Sequence, residues 1–314
     1  MRTSTARRLL ATTALLPVLA LAACGSDPKI ASAAGAGGPA ATATEDLVSG
    51  LAKSEAAAAL LPEEVRRAGT LKFGSAFGAP PSAFYADQAG KKPAGIDVDF
   101  ADAVARLLGL TVQREEAAFE TILPSLDSGK YDVGTGNFGV TTARLKTIDF
   151  VTYIDDGQGF AVKKDNTAIQ PVTDLLQLCG LTVGTTAGTT FETTLNSRRN
   201  VCADAGKKPY EVRAFSESGA LLTSLRQGRV DVEMSTINGL RYQSAQEASG
   251  TRFLGEFHRL DVGFALKKGS KLAPALQAAV NELIKDGTYQ RILGKWGVAD
   301  SAIKESQISP PEHG

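Results

Sequence analysis

Histidine is nearly absent from the 314 residues: there are two, His258 and His313, beside three cysteines, two methionines and one tryptophan. Neither histidine lies at ligand spacing from a cysteine, so a Cys/His metal site has no framework and no cofactor is expected. Net charge is missing as well. Lys+Arg number 34 and Asp+Glu number 34, and without a basic field the chain has no electrostatic claim on nucleic acid. No G-x-S-x-G and no nucleophile–base pair stands out, and after residue 23 no stretch is apolar enough to cross a bilayer.

What is present points to export. Arg2, Arg7 and Arg8 precede an apolar run from Leu9 to Ala23, too short for a permanent span, so residues 1–23 read as an export signal. The run ends in Leu21-Ala22-Ala23-Cys24, which resembles the lipobox of bacterial lipoproteins, whose cysteine is acylated and becomes the new N-terminus. A plain signal cut near Ala23 is the alternative. Residues 24–65 are rich in Ala, Gly, Ser and Thr and read as a lipidated flexible tether, with a short helix between Glu55 and Leu61. The other two cysteines, Cys179 and Cys202, form an even pair in an exported chain, which argues for a disulfide against two free buried thiols.

The remainder repeats one grammar twice. Strand Thr70 to Ser75, a helix opened by Gly95-Ile96-Asp97-Val98-Asp99-Phe100, strand Leu110 to Arg114, helix Phe119 to Ser128 and strand Tyr131 to Thr135 make a β-α-β-α-β unit with a parallel sheet. Strand Leu181 to Thr185, helix Thr189 to Ser197, strand Glu211 to Phe215, helix Ser218 to Gln227 and strand Val230 to Met234 make a second. The pattern L-x-x-G-[K/R]-x-D-V closes both, at Leu126 and again at Leu225. Gly159-Phe160-Ala161-Val162-Lys163-Lys164 is nearly repeated as Gly263-Phe264-Ala265-Leu266-Lys267-Lys268, as if the chain crosses to a second lobe and returns. The returning chain should end in a helix from Lys271 to Lys285 and a segment Gly287 to Gly297 packed on the first lobe. Two crossing strands form a hinge, and hinged lobes commonly close on a ligand.

The central stretch lies between Gly129 and Phe150, where a helix stops at glycine, a strand runs out, and small and polar residues lead to Arg144. Ligands of open α/β sheets bind outside the carboxyl ends of the strands, where N–H groups and a guanidinium can converge on a carboxylate. Gly134-Thr135-Gly136-Asn137-Phe138-Gly139 fits G-x-G-x-x-G, but it follows the third strand and lacks the acidic partner of a dinucleotide site.

Four patches in order, across roughly residues 66 to 300, resemble the family 3 extracellular solute-binding proteins, the polar amino-acid receptors of ABC importers. They are Gly95 to Phe100 with Val104-Ala105, Thr141-Thr142-Ala143-Arg144 with Asp149-Phe150, Gly188-Thr189-Thr190, and Asp286-Gly287-Thr288-Tyr289 through Trp296. The resemblance implies an α/β, two-lobed periplasmic-binding-protein-like fold of type II, each lobe a mostly parallel sheet flanked by helices, joined by two crossing strands. Lobe 1 would comprise 66–160 and 264–304, lobe 2 161–263, and 305–314 a C-terminal tail. It further implies a monomer, anchored by lipid on the extracytoplasmic face, that hands a small polar solute to a permease and its ATPase.

Carried over by position, Arg144 resembles the arginine that grips the ligand carboxylate as a fork. Thr141 and Gly139 match positions offering a hydroxyl or N–H to the same group, and Asn137 one offering a carbonyl to the ligand ammonium. Thr189 and Thr190 would begin a helix whose N–H groups grip from lobe 2. Phe119 matches an aromatic that packs on the ligand, and Phe77 would replace a stacking ring absent at Ala79. Thr236 departs from the pattern, because these receptors usually carry there the aspartate that binds the ammonium. Either Glu233 or another acid supplies the charge, or the ligand lacks an ordinary α-ammonium; by strand alternation Glu233 faces the cleft or away from it. A sensor subunit of a membrane signalling system would share this site. So would an exported dehydratase or lyase, for which Glu120, Glu192 and Glu233 are the acids near the cleft.

Overall fold

The computed structural model describes residues 45–87, 89 and 91–313. The export signal, Cys24 and the first part of the tether lie outside them. Residues 45–65, the rest of that tether, are instead packed into the first lobe: Leu47, Ala57, Ala58 and Leu61 are buried in its core. Helix α1 (Glu55–Ala58) is capped by the Ser54 hydroxyl, which also bonds Glu282, and helix α2 (Glu63–Ala68) stops at left-handed Gly69. Alanine reads as linker in composition, yet its small side chain is what permits this close approach.

Strand β1 (Thr70–Ser75) leads to a small hairpin, β2 (Phe84–Tyr85) with β3 (Pro93–Ala94). Then follow helix α3 (Ile96–Leu107), β4 (Thr111–Glu116), α4 (Phe119–Asp127), β5 (Val133–Thr135) and the long β6 (Ile148–Lys163). The second lobe runs β7 (Thr182–Thr186), α5 (Thr190–Ser197), α6 (Val201–Asp204), β8 (Glu211–Phe215), α7 (Ser218–Arg226), β9 (Val232–Thr236) and α8 (Ile237–Ala245). Strand β10 (Thr251–Lys267) returns to α9 (Ala273–Asp286) and α10 (Thr288–Lys295). One mixed sheet carries the order β4-β1-β5-β10-β6-β9-β7-β8. Pairing is parallel in β4-β1-β5 and in β9-β7-β8, and antiparallel around β10 and β6. This is the two-lobed type II arrangement.

The two similar hexapeptides do not run side by side between the lobes. Gly159 to Ala161 already pair with β9, and Gly263 to Lys267 pair with Ile148 to Thr152 at the other end of the ladder. The crossing lies at Ile154 to Gln158 against His258 to Val262. There Asp156 is fully buried and accepts hydrogen bonds from Asn137 Nδ2 (2.8 Å) and the Asn238 N–H (3.1 Å), so it ties the Arg144 loop to the start of α8. Burial pushes its carboxyl up to about 6. Residues 305–313 are held against β6: the Thr152 N–H donates to the Gln307 carbonyl and the Ser309 N–H to that of Phe150.

Each lobe has its own core, with Phe100, Tyr153, Phe264 and Tyr289 in the first and Phe160, Val183, Leu195 and Met234 in the second. A disulfide joins Cys179 and Cys202, 23 positions apart, with Cα atoms 5.6 Å apart. Chain entropy assigns a loop of this length about 3 kcal/mol. Denaturant unfolding with and without reductant should differ by that amount, and equal midpoints would show the bond to be thermodynamically idle.

Candidate functional site

A cavity of about 660 Å³ lies at the carboxyl ends of the parallel strands, with walls from both lobes. Phe77, Phe119, Asn137, Arg144, Thr189, Thr190, Glu233 and Thr236 line it. Gly139 and Thr141 do not; they shape the Arg144 loop instead. The Gly139 carbonyl accepts from Arg144 Nη1 at 3.0 Å, and Thr141 Oγ1 accepts from the Arg144 N–H at 3.2 Å. Thr141 and Arg144 also border a second recess of about 930 Å³ that reaches His258 and Glu312. Glu312 accepts from the Thr142 N–H at 2.7 Å, so the C-terminal segment braces the same loop.

The cleft is drawn closed. A methyl group built on Gly188 would stand 3.0 Å from Glu120 Cβ, and one on Gly139 would stand 3.8 Å from Thr190 Cγ2, so each pair spans the two lobes. Gly188 has φ +74°, which together with this contact leaves no room for a side chain. Thr189 caps α5, accepting from the Glu192 N–H (3.3 Å) and donating to the Thr186 carbonyl (2.6 Å), so its hydroxyl is committed to the helix. Thr190, the first helical residue, presents to the cavity an N–H end that favours negative charge. Asn137 sits in the left-handed region at φ +55°, and its amide is spent on Ser82 and Asp156.

Arg144 dominates the electrostatics. Its Cζ lies 5.9 Å from the ring centre of Phe119 and 5.7 Å from that of Phe138, an arrangement that favours a cation over aromatic faces. No carboxylate among the described residues comes within ion-pairing distance of it. Burial alone lowers its pKa to about 10, which still leaves it charged at neutral pH. A mostly buried cation without a counter-charge is costly, and an entering carboxylate removes that cost. Phe77, also in the wall, stacks on Tyr85, with ring centres 4.6 Å apart and planes 7° apart.

Glu233 faces the cleft. It is 3% exposed, and Gln243 Nε2 donates to its Oε2 at 2.8 Å. Burial pushes its carboxyl up to about 7, opposed only by the Gln243 hydrogen bond. Thr236 also lines the cavity, but its hydroxyl caps α8 by accepting from the Gly239 N–H at 2.9 Å. The cavity further includes Glu116, Glu217, Tyr242 and Gln243, which the sequence reading missed. Glu116 ends β4 and Glu217 follows β8, so the rule of strand carboxyl ends would have found both. Glu120 and Glu192 are not in the wall.

The profile of bacterial extracellular solute-binding proteins, family 3, matches residues 71–299. The chain belongs to that family. Among its relatives, the arginine-binding protein ArgT of Corynebacterium glutamicum is 30% identical over 255 residues, 80% of this chain and 82% of ArgT. The L-cystine-binding protein TcyJ of Escherichia coli K12 is 32% identical over 257 residues, 81% of this chain and 92% of TcyJ. A solved ancestral arginine-binding protein bound to arginine superposes with a TM-score of 0.64 at 34% identity, covering 73% of this chain and 98% of its own. These relatives are named as binding proteins rather than enzymes, and this solute-binding protein shares the fold of the solved one.

Proposed function

We propose that this solute-binding protein captures an amino acid by its carboxylate and delivers it to an ABC permease, held at the outer face of the cell membrane by a lipid on Cys24. The observation that carries the proposal is Arg144, a mostly buried guanidinium with no carboxylate partner among the described residues, set beside a packed pair of phenylalanine rings in a cavity shared by both lobes. A ligand carboxylate would take the guanidinium from lobe 1 and the first-turn N–H groups of α5 from lobe 2. Gripping from both sides provides differential binding to the closed form; moving a hinge from 1:99 to 99:1 closed takes about 5.5 kcal/mol of preference. Relatives named for arginine, cystine and glutamine support an amino-acid ligand.

The test is thermal unfolding of the purified chain against amino acids and their decarboxylated counterparts. A ligand at a hundredfold excess over Kd stabilises the folded state by about 2.7 kcal/mol. Amino acids should raise the melting temperature and the matching amines should not. Equal shifts from the amines would overturn the carboxylate reading.

A further inference from the structure

The cavity wall is unbalanced in charge. Its acidic and basic members are Arg144, Glu116, Glu217 and Glu233, one cation against three carboxyl groups. A zwitterionic amino acid leaves that imbalance in place, whereas a basic one reduces it. Glu116 and Glu217 stand on the exposed rim, where solvent screens them. Glu233 is the acid whose charge is not screened.

Three observations place Glu233 at the far end from Arg144. First, Arg144 follows β5 in lobe 1, whereas Glu233 pairs with Ala161 on the lobe 2 side of the crossing, so the two reach one cavity from opposite lobes. Second, Glu233 sits three residues before the end of β9, so its Cα lies about 10 Å behind that of Thr236, and its side chain leaves the opposite face of the strand. Third, its one hydrogen-bonding partner is the neutral Gln243 amide, and no Lys, Arg or His among the described residues pairs with it. A buried carboxylate so placed lacks the cation that would offset its desolvation. The α-ammonium of an amino acid is one carbon from the carboxylate and stays with it near Arg144. Glu233 is therefore left for a charge farther along the ligand.

We infer that the cavity is built for a basic amino acid, whose side-chain cation is received by Glu233 with Gln243 holding the carboxylate in place; this rests on the reading of Arg144 as the carboxylate anchor. Gln243 Nε2 also approaches Thr251 Oγ1 at 3.5 Å, so the amide is held from a second side. The ligand lies with its α-carboxylate between Arg144 and the start of α5 and its side chain reaching deeper into lobe 2, toward Glu233 and Gln243.

The experiment compares L-arginine with L-citrulline, which replaces the guanidinium by a neutral ureido group of the same length, by calorimetry on the full chain at pH 8. The wild type should prefer arginine by about a hundredfold, the effect of removing one member of a buried charge pair. Glu233→Gln should bring the two ligands to within about tenfold by weakening arginine while leaving citrulline nearly unchanged. Glu233→Asp, which keeps the charge, should retain part of the preference. Melting curves without ligand check that each variant is folded. If citrulline binds the wild type as tightly as arginine, or Glu233→Gln weakens both equally, the assignment of Glu233 falls while capture through Arg144 stands. If neither amino acid binds, the inference of a basic ligand falls, and the melting panel of amino acids against amines decides separately whether capture through Arg144 stands.

Discussion

Arg144→Ala should weaken capture of the amino acid by about three orders of magnitude, enough to abolish the ligand-induced rise in melting temperature. The size follows from what is lost. A buried, hydrogen-bonded charge pair broken on one side costs 2 to 5 kcal/mol or more, because the abandoned charge stays desolvated. The abandoned charge here would be the ligand carboxylate, facing Phe119 and Phe138 where the guanidinium had been. Arg144→Lys should recover only part of the loss, since an ammonium has no planar fork to bind two oxygens. Without ligand, Arg144→Ala should be no less stable than the wild type, because the residue it removes is an unpaired cation. Calorimetric titration of the three proteins measures all of this. Affinity within tenfold of wild type in Arg144→Ala would remove Arg144 from the site.

Asp99→Ala should destabilise the first lobe by about 3 to 5 kcal/mol and leave ligand affinity unchanged. Asp99 accepts from Trp296 Nε1 at 2.7 Å and pairs with Lys295 Nζ at 2.8 Å, where the two side chains of the ion pair are 9% and 13% exposed. Truncating the acid strands a buried ammonium and an indole N–H, the costly half of a buried ion pair. For a domain of this size the loss corresponds to a fall in melting temperature of roughly 6 to 15 °C. A fall of about 2 °C or less would mean that water already serves Lys295.

That clasp also explains why parts of the sequence could be read and others could not. The patch Gly95 to Phe100 and the closing Lys295-Trp296 are far apart in the chain and meet in the fold. Asp99 holds Trp296, and Asp97 accepts from the Tyr153 hydroxyl (2.7 Å) and the Asn137 N–H (3.0 Å). Local words of this kind are legible because each is short and fixed by one buried polar group. The β-α-β grammar was legible for a similar reason, with apolar strands and glycine stops. Strand Glu211–Phe215 falls where the sequence places it, and α5 begins at Thr189 and Thr190 as expected, although the Thr189 hydroxyl caps the helix where a ligand grip was expected.

Helix α8 escaped notice because its surroundings forbid a clean apolar stripe. One side offers Gln243 to the cavity, and another sends Arg241 to Glu256 and Asp300, while Asn238 bonds Ser301 (2.9 Å). A helix wedged between two lobes and a polar cleft buries hydrogen bonds where others bury leucines. Residues 45–65 were misread for the opposite reason, as small side chains look like linker until the surface they match is known. The orientation of Glu233 was undecidable from alternation alone, since β9 is covered on both faces.

Thr236 has a consequence beyond its place in the wall. Its hydroxyl caps α8, and aspartate caps helices at least as well as threonine. An aspartate could therefore stand at this position without unfolding anything. A lineage of such receptors can wander between ligand classes by single substitutions at a strand end, with every intermediate along the way a folded protein.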